Sequence, residues 1–128
     1  MSDLSQTTKA IILSVLDASS VLTTLVPSSR IFPMRVESMP AYPFIRYGVP
    51  IVDQYEDNCG RGTDEQIVIH AFSKDEDSCH KIAAAVTNVL DRCKDFYICD
   101  WVRTQFREDD DSADVWHAMI EFRVVNKP

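Results

Sequence analysis

Residues 65–91 read EQIVIHAFSKDEDSCHKIAAAVTNVLD, and this stretch decides the fold class. Gln66–Phe72 is β-branched and apolar on both faces, the pattern of a strand covered from two sides. Ser73–Asp77 supplies capping side chains and the negative charge that suits a helix N-terminus. Cys79, Ile82, Ala83, Val86, Val89, Leu90 and Cys93 then recur at helical spacing, which predicts an amphipathic helix. A strand running straight into such a helix calls for helices packed on a sheet.

Upstream, the chain opens on helix signals. Ser2 or Asp3 can cap, and Leu4, Thr8, Ile11, Ile12, Val15 and Leu16 follow at three- and four-residue spacing. Ser19 or Ser20 can cap a short continuation through Val21, Leu22 and Leu25, which Pro27 stops. Five of the six prolines lie between Pro27 and Pro50, so Arg30–Pro33 and Phe44–Val52 read as short or edge strands. Residues 53–64, DQYEDNCGRGTD, read as a polar connecting loop.

Downstream, the period drops to two. From Tyr97 to Arg107, Ile98, Val102 and Phe106 are expected on one face, with Trp101, Arg103, Gln105 and Arg107 on the other. Glu108–Ala113 is a turn. A last strand, Val115–Val125, sets Trp116, Ala118, Ile120, Phe122 and Val124 on one face and His117, Glu121 and Arg123 on the other. The expected fold is therefore α+β, an antiparallel or mixed sheet of four to five strands packed against two helices. No repeat or linker divides the chain, so residues 1–128 are expected to form a single domain.

At 128 residues the chain can bury roughly two-thirds of its unfolded surface, enough for one self-sufficient core. Its composition, 45% hydrophobic and 26% charged, excludes a largely disordered or collagen-like chain. The net charge of −7 is unevenly placed. Residues 1–50 carry four basic and three acidic groups, whereas residues 51–128 carry nine basic and seventeen acidic ones. A balance so acidic disfavours a grip on nucleic acid, which needs Lys and Arg to displace counterions. Cys59, Cys79, Cys93 and Cys99 form no CxxC pair and match no zinc-site spacing. MSDLSQTTK lacks a basic region followed by an apolar run, and no apolar stretch is long enough to span a bilayer. The expectation is an intracellularly made protein with reduced thiols serving as small buried hydrophobes.

Catalytic patterns are scarce. Glu108, Asp109, Asp110, Asp111 and Asp114 cluster, but without the alternating ligands, central Gly and distal Glu of a calcium loop. They read as a solvated hairpin tip, and Asp53, Glu56 and Asp57 read the same way. Cys79 and His80 diverge by about 100° on a helix and cannot form a dyad with each other. His70 and His117 would be neighbours if their strands pair. Neither a GxSxG elbow nor a phosphate-binding glycine loop occurs. Arg30, Phe32, Arg35, Arg46 and Tyr47 combine the Arg and aromatic groups enriched in protein–protein contacts and are candidate subunit-interface residues. These marks suit a protein that assembles; no catalytic, cofactor or metal-binding residues are assigned. A rival reading is a small metal-dependent nuclease or hydrolase using Asp109, Asp111, Asp114 and His117.

Taken in order, the segments resemble the tail-completion, or tail-terminator, proteins of long-tailed bacteriophages. AIILSVLDASSVLTTLV (10–26) and then SSRIFP (28–33) are similar to the family's first helix and its arginine, Ile, aromatic, Pro element. MPAYPFIRYGV (39–49) resembles its proline–aromatic entry into a long strand, residues 65–91 its strand–helix unit, and WHAMIEFRVV (116–125) its closing strand. The resemblance implies a non-enzymatic virion protein of the tail–head neck, made in the host cytoplasm. It also implies a homo-hexameric ring that caps the tail tube, ends its polymerisation and joins the tail to the head connector or stopper protein. DNA would pass through such a ring without specific binding, no membrane or cofactor would be involved, and a head-side neck adaptor is the alternative place. With that role, at least one acidic loop, Asp53–Asp57 or Glu108–Asp114, is expected to face the lumen or a ring face.

Overall fold

A computed structural model describes residues 4–33, 40–108 and 114–127. Among the described residues, three α-helices and five strands follow the expected order: α1 (Ser5–Ala18), α2 (Ser20–Leu25), β1 (Ile31–Phe32), β2 (Phe44–Asp57), β3 (Gly60–Ser73), α3 (Glu76–Leu90), β4 (Ile98–Glu108) and β5 (Trp116–Asn126). The strands form one mixed sheet in the order β1-β2-β3-β5-β4. Only the short β1–β2 pair is parallel; all others are antiparallel.

The helices form because their apolar groups share one face. Thr8, Ile12 and Leu16, one turn apart, are the buried positions of α1. Leu4 occupies the cap position without a side-chain bond, and the cap expected from Ser2 or Asp3 falls outside the described residues. Ser19 Oγ accepts from Leu22 N at 3.2 Å and starts α2. Asp75 Oδ2 does the same for Ser78 N at the start of α3, whose first turn adds Glu76 and Asp77. α3 ends at Leu90, short of Cys93, because Arg92 takes a left-handed φ of 60° and its N–H turns to Cys99 O at 2.7 Å.

These helices pack on one sheet face. Ile12, Leu16, Leu22, Ile82, Val86 and Leu90 meet Ile67, Ile69, Ala71, Ala118, Ile120 and Phe122 in a single core. Each of the larger of these side chains (Val, Leu, Ile, Phe), fully buried, is worth about 1.5–3 kcal/mol of transfer free energy before entropy is set against it. β5 follows the predicted alternation, with Ala118, Ile120, Phe122 and Val124 all inside.

Three expectations need correction. Residues 53–64 are not a connecting loop but the far half of the β2–β3 hairpin, turned at Asn58-Cys59. Asp57 Oδ1 accepts from Cys59 N at 2.8 Å, and Gly60 takes the positive φ of 138° that the turn requires. With 14 residues in each strand, the hairpin is roughly 45 Å long at about 3.3 Å per residue. In β4, a bulge between Trp101 and Arg103 shifts the alternation. Cys99, Thr104 and Phe106 therefore share the helix side with β5's core residues, while Ile98 lies on the other side. Finally, β3 is doubly covered only near its end, where Phe72 joins Phe44 and Val115 in a second small cluster. Towards Gln66 its outer face is half-buried, because all three helices lie on the opposite side.

Candidate functional site

The face opposite the helices is organised in rows of paired residues, β2 to β4 across the sheet. Phe44–Phe72–His117–Arg107 is followed by Arg46–His70–Met119–Gln105, then Gly48–Val68–Glu121–Arg103. Next come Ile51–Gln66–Arg123–Asp100 and Asp53–Asp64–Val125–Ile98. The first two rows hold two guanidiniums and no carboxylate, and the last two hold three carboxylates against one guanidinium. One face thus carries a basic end and an acidic end.

At the basic end the rings are stacked. Phe72 lies between Phe44, at 4.7 Å between centroids, and His117, at 4.2 Å. His70 Nδ1 and His117 Nε2 are 2.8 Å apart, so one ring nitrogen carries a proton that the other accepts. The Arg46 guanidinium sits 5.4 Å from the Phe72 centroid. Burial pushes the His70 pKa down to about 4, and the positive charges of Arg46 and Arg107, with His117, add to the effect.

The acidic end is partly neutralised. Asp53 and Asp64 stand directly opposite on β2 and β3, a pairing that costs stability unless compensated. Arg123 compensates with a forked contact to Asp64, Nε to Oδ1 at 3.1 Å and Nη2 to Oδ2 at 2.8 Å. Arg103 Nε approaches Glu121 at 3.8 Å. Ile51 and Val102, 50% and 44% exposed, wall a shallow trough over this floor.

Beyond it, the hairpin tip is locked. Lys127 Nζ lies 2.8 Å from both Asp57 carboxylate oxygens, and the Tyr55 and Tyr97 hydroxyls donate to Oδ2 at 3.1 and 3.0 Å. Lys127, above all, and the Cys59 N–H hold the Asp57 carboxyl well below the usual carboxylate range. Glu56 pairs with Arg61 at 3.5 Å, both exposed.

The expected site residues thus separate. Asp53, Glu56 and Asp57 lie at the end of the sheet with the β2–β3 turn; Glu108 and Asp114 flank the β4–β5 connection at the opposite end. Asp109, Asp110, Asp111 and Arg35 lie outside the described residues. Arg30 Nη1 donates to Tyr42 O at 3.0 Å, and Phe32 packs on the Phe44–Phe72 cluster. Tyr47 is 2% exposed, with its hydroxyl donating to Lys9 O at 2.8 Å, so its side chain is held inside this chain's own core. His70 and His117 do meet, because β3 and β5 pair. The rows themselves escaped the sequence reading, although the alternation Gln66, Val68, His70, Phe72 against His117, Met119, Glu121, Arg123 contains them.

All four cysteines are free, with Cys79 and Cys99 buried. Burial pushes the Cys79 thiol up to about 11 and Cys99 up to about 12, which makes both poor nucleophiles at neutral pH. Among the described residues no three His, Cys, Asp or Glu side chains converge as a metal site, and no helix is long and apolar enough to cross a membrane.

No curated protein matches this chain. Among solved structures it is similar to a chain in "Virion of native gene transfer agent (GTA) particle". The TM-score is 0.78 at 21% identity over 91% of this chain and 92% of that one, a likeness of fold. The family model described as "Tail completion protein gp17" matches residues 10–127. Nearly the whole of the described sheet and its helices fall inside that match, and the chain belongs to the tail completion protein gp17 family of phage tail proteins, a structural component of the virion.

Proposed function

We propose that the protein forms a homo-hexameric ring that caps the tail tube, ends its polymerisation and joins the tail to the head connector, without catalysing a reaction. Membership of the tail completion family is the observation that carries this reading. The physics of a closed ring supports it. Heterologous contacts satisfy both flanks of every subunit and leave only two flat faces, one for the tube and one for the connector. Growth stops because the next tube ring no longer meets its own kind.

The acidic groups then line the conduit or its rims. Six copies would carry about −42, a field that repels phosphate and keeps passing DNA from sticking. Because Asp57 is neutralised by Lys127 and Glu56 by Arg61, Asp53 is the acid of the β2–β3 hairpin that contributes most to this field. Glu108 and Asp114 serve at the opposite end of the sheet. Arg30, Phe32 and Arg46 border the contact between subunits, and the tube protein and the head connector are the outer partners.

Adding the purified protein to tail tubes and imaging them tests the proposal. Six-fold caps on one tube end, with an end to further growth, are expected. Tubes that grow unchanged overturn it, and a ring that binds only head particles assigns the protein to the head side of the neck.

A further inference from the structure

We propose that copies of this chain join head to tail by strand pairing, with the open half of β4 in one copy against the open half of β2 in the next. Each edge of the sheet is covered over one half only. On the β2 side, β1 pairs with Ile45 and Arg46, and among the described residues no strand lies beside Val52–Asp57. On the β4 side, the segment after α3 covers the other half. The Arg92 N–H donates to Cys99 O at 2.7 Å, and the Trp101 N–H donates to Asp91 Oδ1 at 3.0 Å. From Arg103 to Glu108 no strand lies beyond β4 among the described residues. An edge left open presents a row of N–H and C=O groups, which another strand satisfies.

Alternation fixes the register. In an antiparallel strand every second residue turns its backbone groups to the same side. Cys99 and Trp101 bond outward, and the extra residue at the bulge carries the outward set on to Thr104, Phe106 and Glu108. On β2, Asp57 and Gly60 close a two-residue turn and face each other, so Glu56, Gln54 and Val52 face outward. β2 runs opposite to β4, three antiparallel steps away, so a neighbour in the same orientation offers an antiparallel partner. Both outward sets meet in full when Val52 faces Glu108, Gln54 faces Phe106 and Glu56 faces Thr104. That register also sets Asp53 opposite Arg107 and Asp57 opposite Arg103, carboxylate against guanidinium on the open face. A shift of two residues sets Asp57 against Trp101 or Gln105 instead. Ile51, Trp101 and Val102, all exposed, flank the paired segments, where a neighbour shields them. Such contacts are heterologous, one edge for each neighbour, and they close into rings or run on as filaments. The ion pairs leave a ring's total charge unchanged, with the field at Asp53 shared by the next copy's arginine. The pairing stands on the edges; only its closure at six rests on the ring reading.

Disulfide cross-linking of the full chain tests the register, with the exposed Cys59 replaced by Ser. Asp53→Cys and Arg107→Cys in one chain, both at exposed positions, set two thiols opposite on neighbouring copies. They form a pair without backbone hydrogen bonds, with Cα atoms about 4.5 Å apart and within disulfide range. After oxidation, in solution and on tail tubes, gels run without reductant should show dimers, trimers and higher bands. Gln54→Cys with Arg107→Cys puts the thiols on opposite faces and should yield at least tenfold less. Adding Gln54→Pro to the first pair removes an outward N–H while leaving the β2–β3 ladder intact. It should lower the yield about tenfold with the circular dichroism unchanged. Absence of the ladder overturns the proposal, as do equal ladders from the two cysteine pairs or a ladder that Gln54→Pro leaves unchanged. Tube caps are read separately: caps without a ladder sink the pairing and leave the ring reading standing, and a ladder without caps does the reverse.

Discussion

Thr8 Oγ1 on α1 stands 2.9 Å from Glu65 Oε2 on β3, inside the core. Thr63 Oγ1 donates to the same oxygen at 2.7 Å, and Asn126 Nδ2 donates to Thr8 Oγ1 at 3.2 Å. This buried polar group ties the first helix, the central hairpin and the end of β5 together. A carboxyl with 1% exposure is tolerable only with donors at hand, and two hydroxyls, of Thr8 and Thr63, meet its Oε2.

Thr8→Val keeps the shape and removes the hydroxyl. Urea denaturation is expected to show a loss of about 1–3 kcal/mol, the cost of taking a partner from a buried polar group. A change within about 0.5 kcal/mol, the scale of an ordinary surface substitution, would mean the contact does not hold α1 to the sheet.

Gly62→Ala should be worse than its size suggests. A Cβ at Gly62 meets the carbonyl oxygen of Asn126, which is backbone in a neighbouring strand and cannot step aside cheaply. Overpacking of this kind costs about 1–3 kcal/mol. Gly48→Ala, where nothing lies within 4 Å of the added carbon, is the control. Equal melting temperatures for the two variants would refute the steric account.

The contrast between those glycines also shows where sequence reading stops. Helix α3 and strand β5 were legible because their apolar groups repeat at the periods of a helix and a strand, and the core is made of those repeats. The hairpin half from Asp53 to Asp64 was not, since it is polar, rich in Gly and Asp, and held by pairing with its own partner strand rather than by burial. The bulge at Trp101 was invisible for a related reason: one inserted residue has no compositional mark. Tyr47 looked like an interface aromatic because nothing local reveals that its hydroxyl reaches Lys9 O on α1. The two charged ends of the open face needed the strand order, which places residues far apart in sequence in one row.

His70 gives a pH dependence of known sign. Its folded pKa is lowered from 6.5 to about 4, chiefly by burial and then by Arg46, His117 and Arg107. Between those values the unfolded chain binds a proton that the folded one refuses. The stabilisation is thus complete above about pH 6.5 and is lost progressively as pH falls towards 4, by on the order of 2 kcal/mol once partial exposure is discounted. His70→Gln should flatten this part of the stability profile. An unchanged slope between pH 4 and 6.5 would place the titration elsewhere.

Lys127 closes the far end of the hairpin, and its loss should act locally. Pairing of β3 with β5 begins at Thr63–Asn126, so the strands from Tyr55 to Gly62 extend past it, held by each other, by the Asp57–Lys127 contact and by Tyr97, whose hydroxyl donates to Asp57. Lys127→Met removes the ion pair while keeping most of the side chain's length over Tyr97, where Lys127 Nζ now lies 3.8 Å from the ring centroid. Amides of residues 55–62 are expected to exchange markedly faster, with those of the Ile67–Ala71 core segment unchanged. The same lock explains an acid sensitivity. Because the folded Asp57 carboxyl is held below its ordinary value, its contribution is present above that value and lost as pH falls through the folded one. Protection of the tip in the wild-type chain should therefore decline in acid, and in Lys127→Met it should start lower and change less. Equal protection in the two chains at neutral pH would show that the turn at Asn58-Cys59 holds the tip without Lys127.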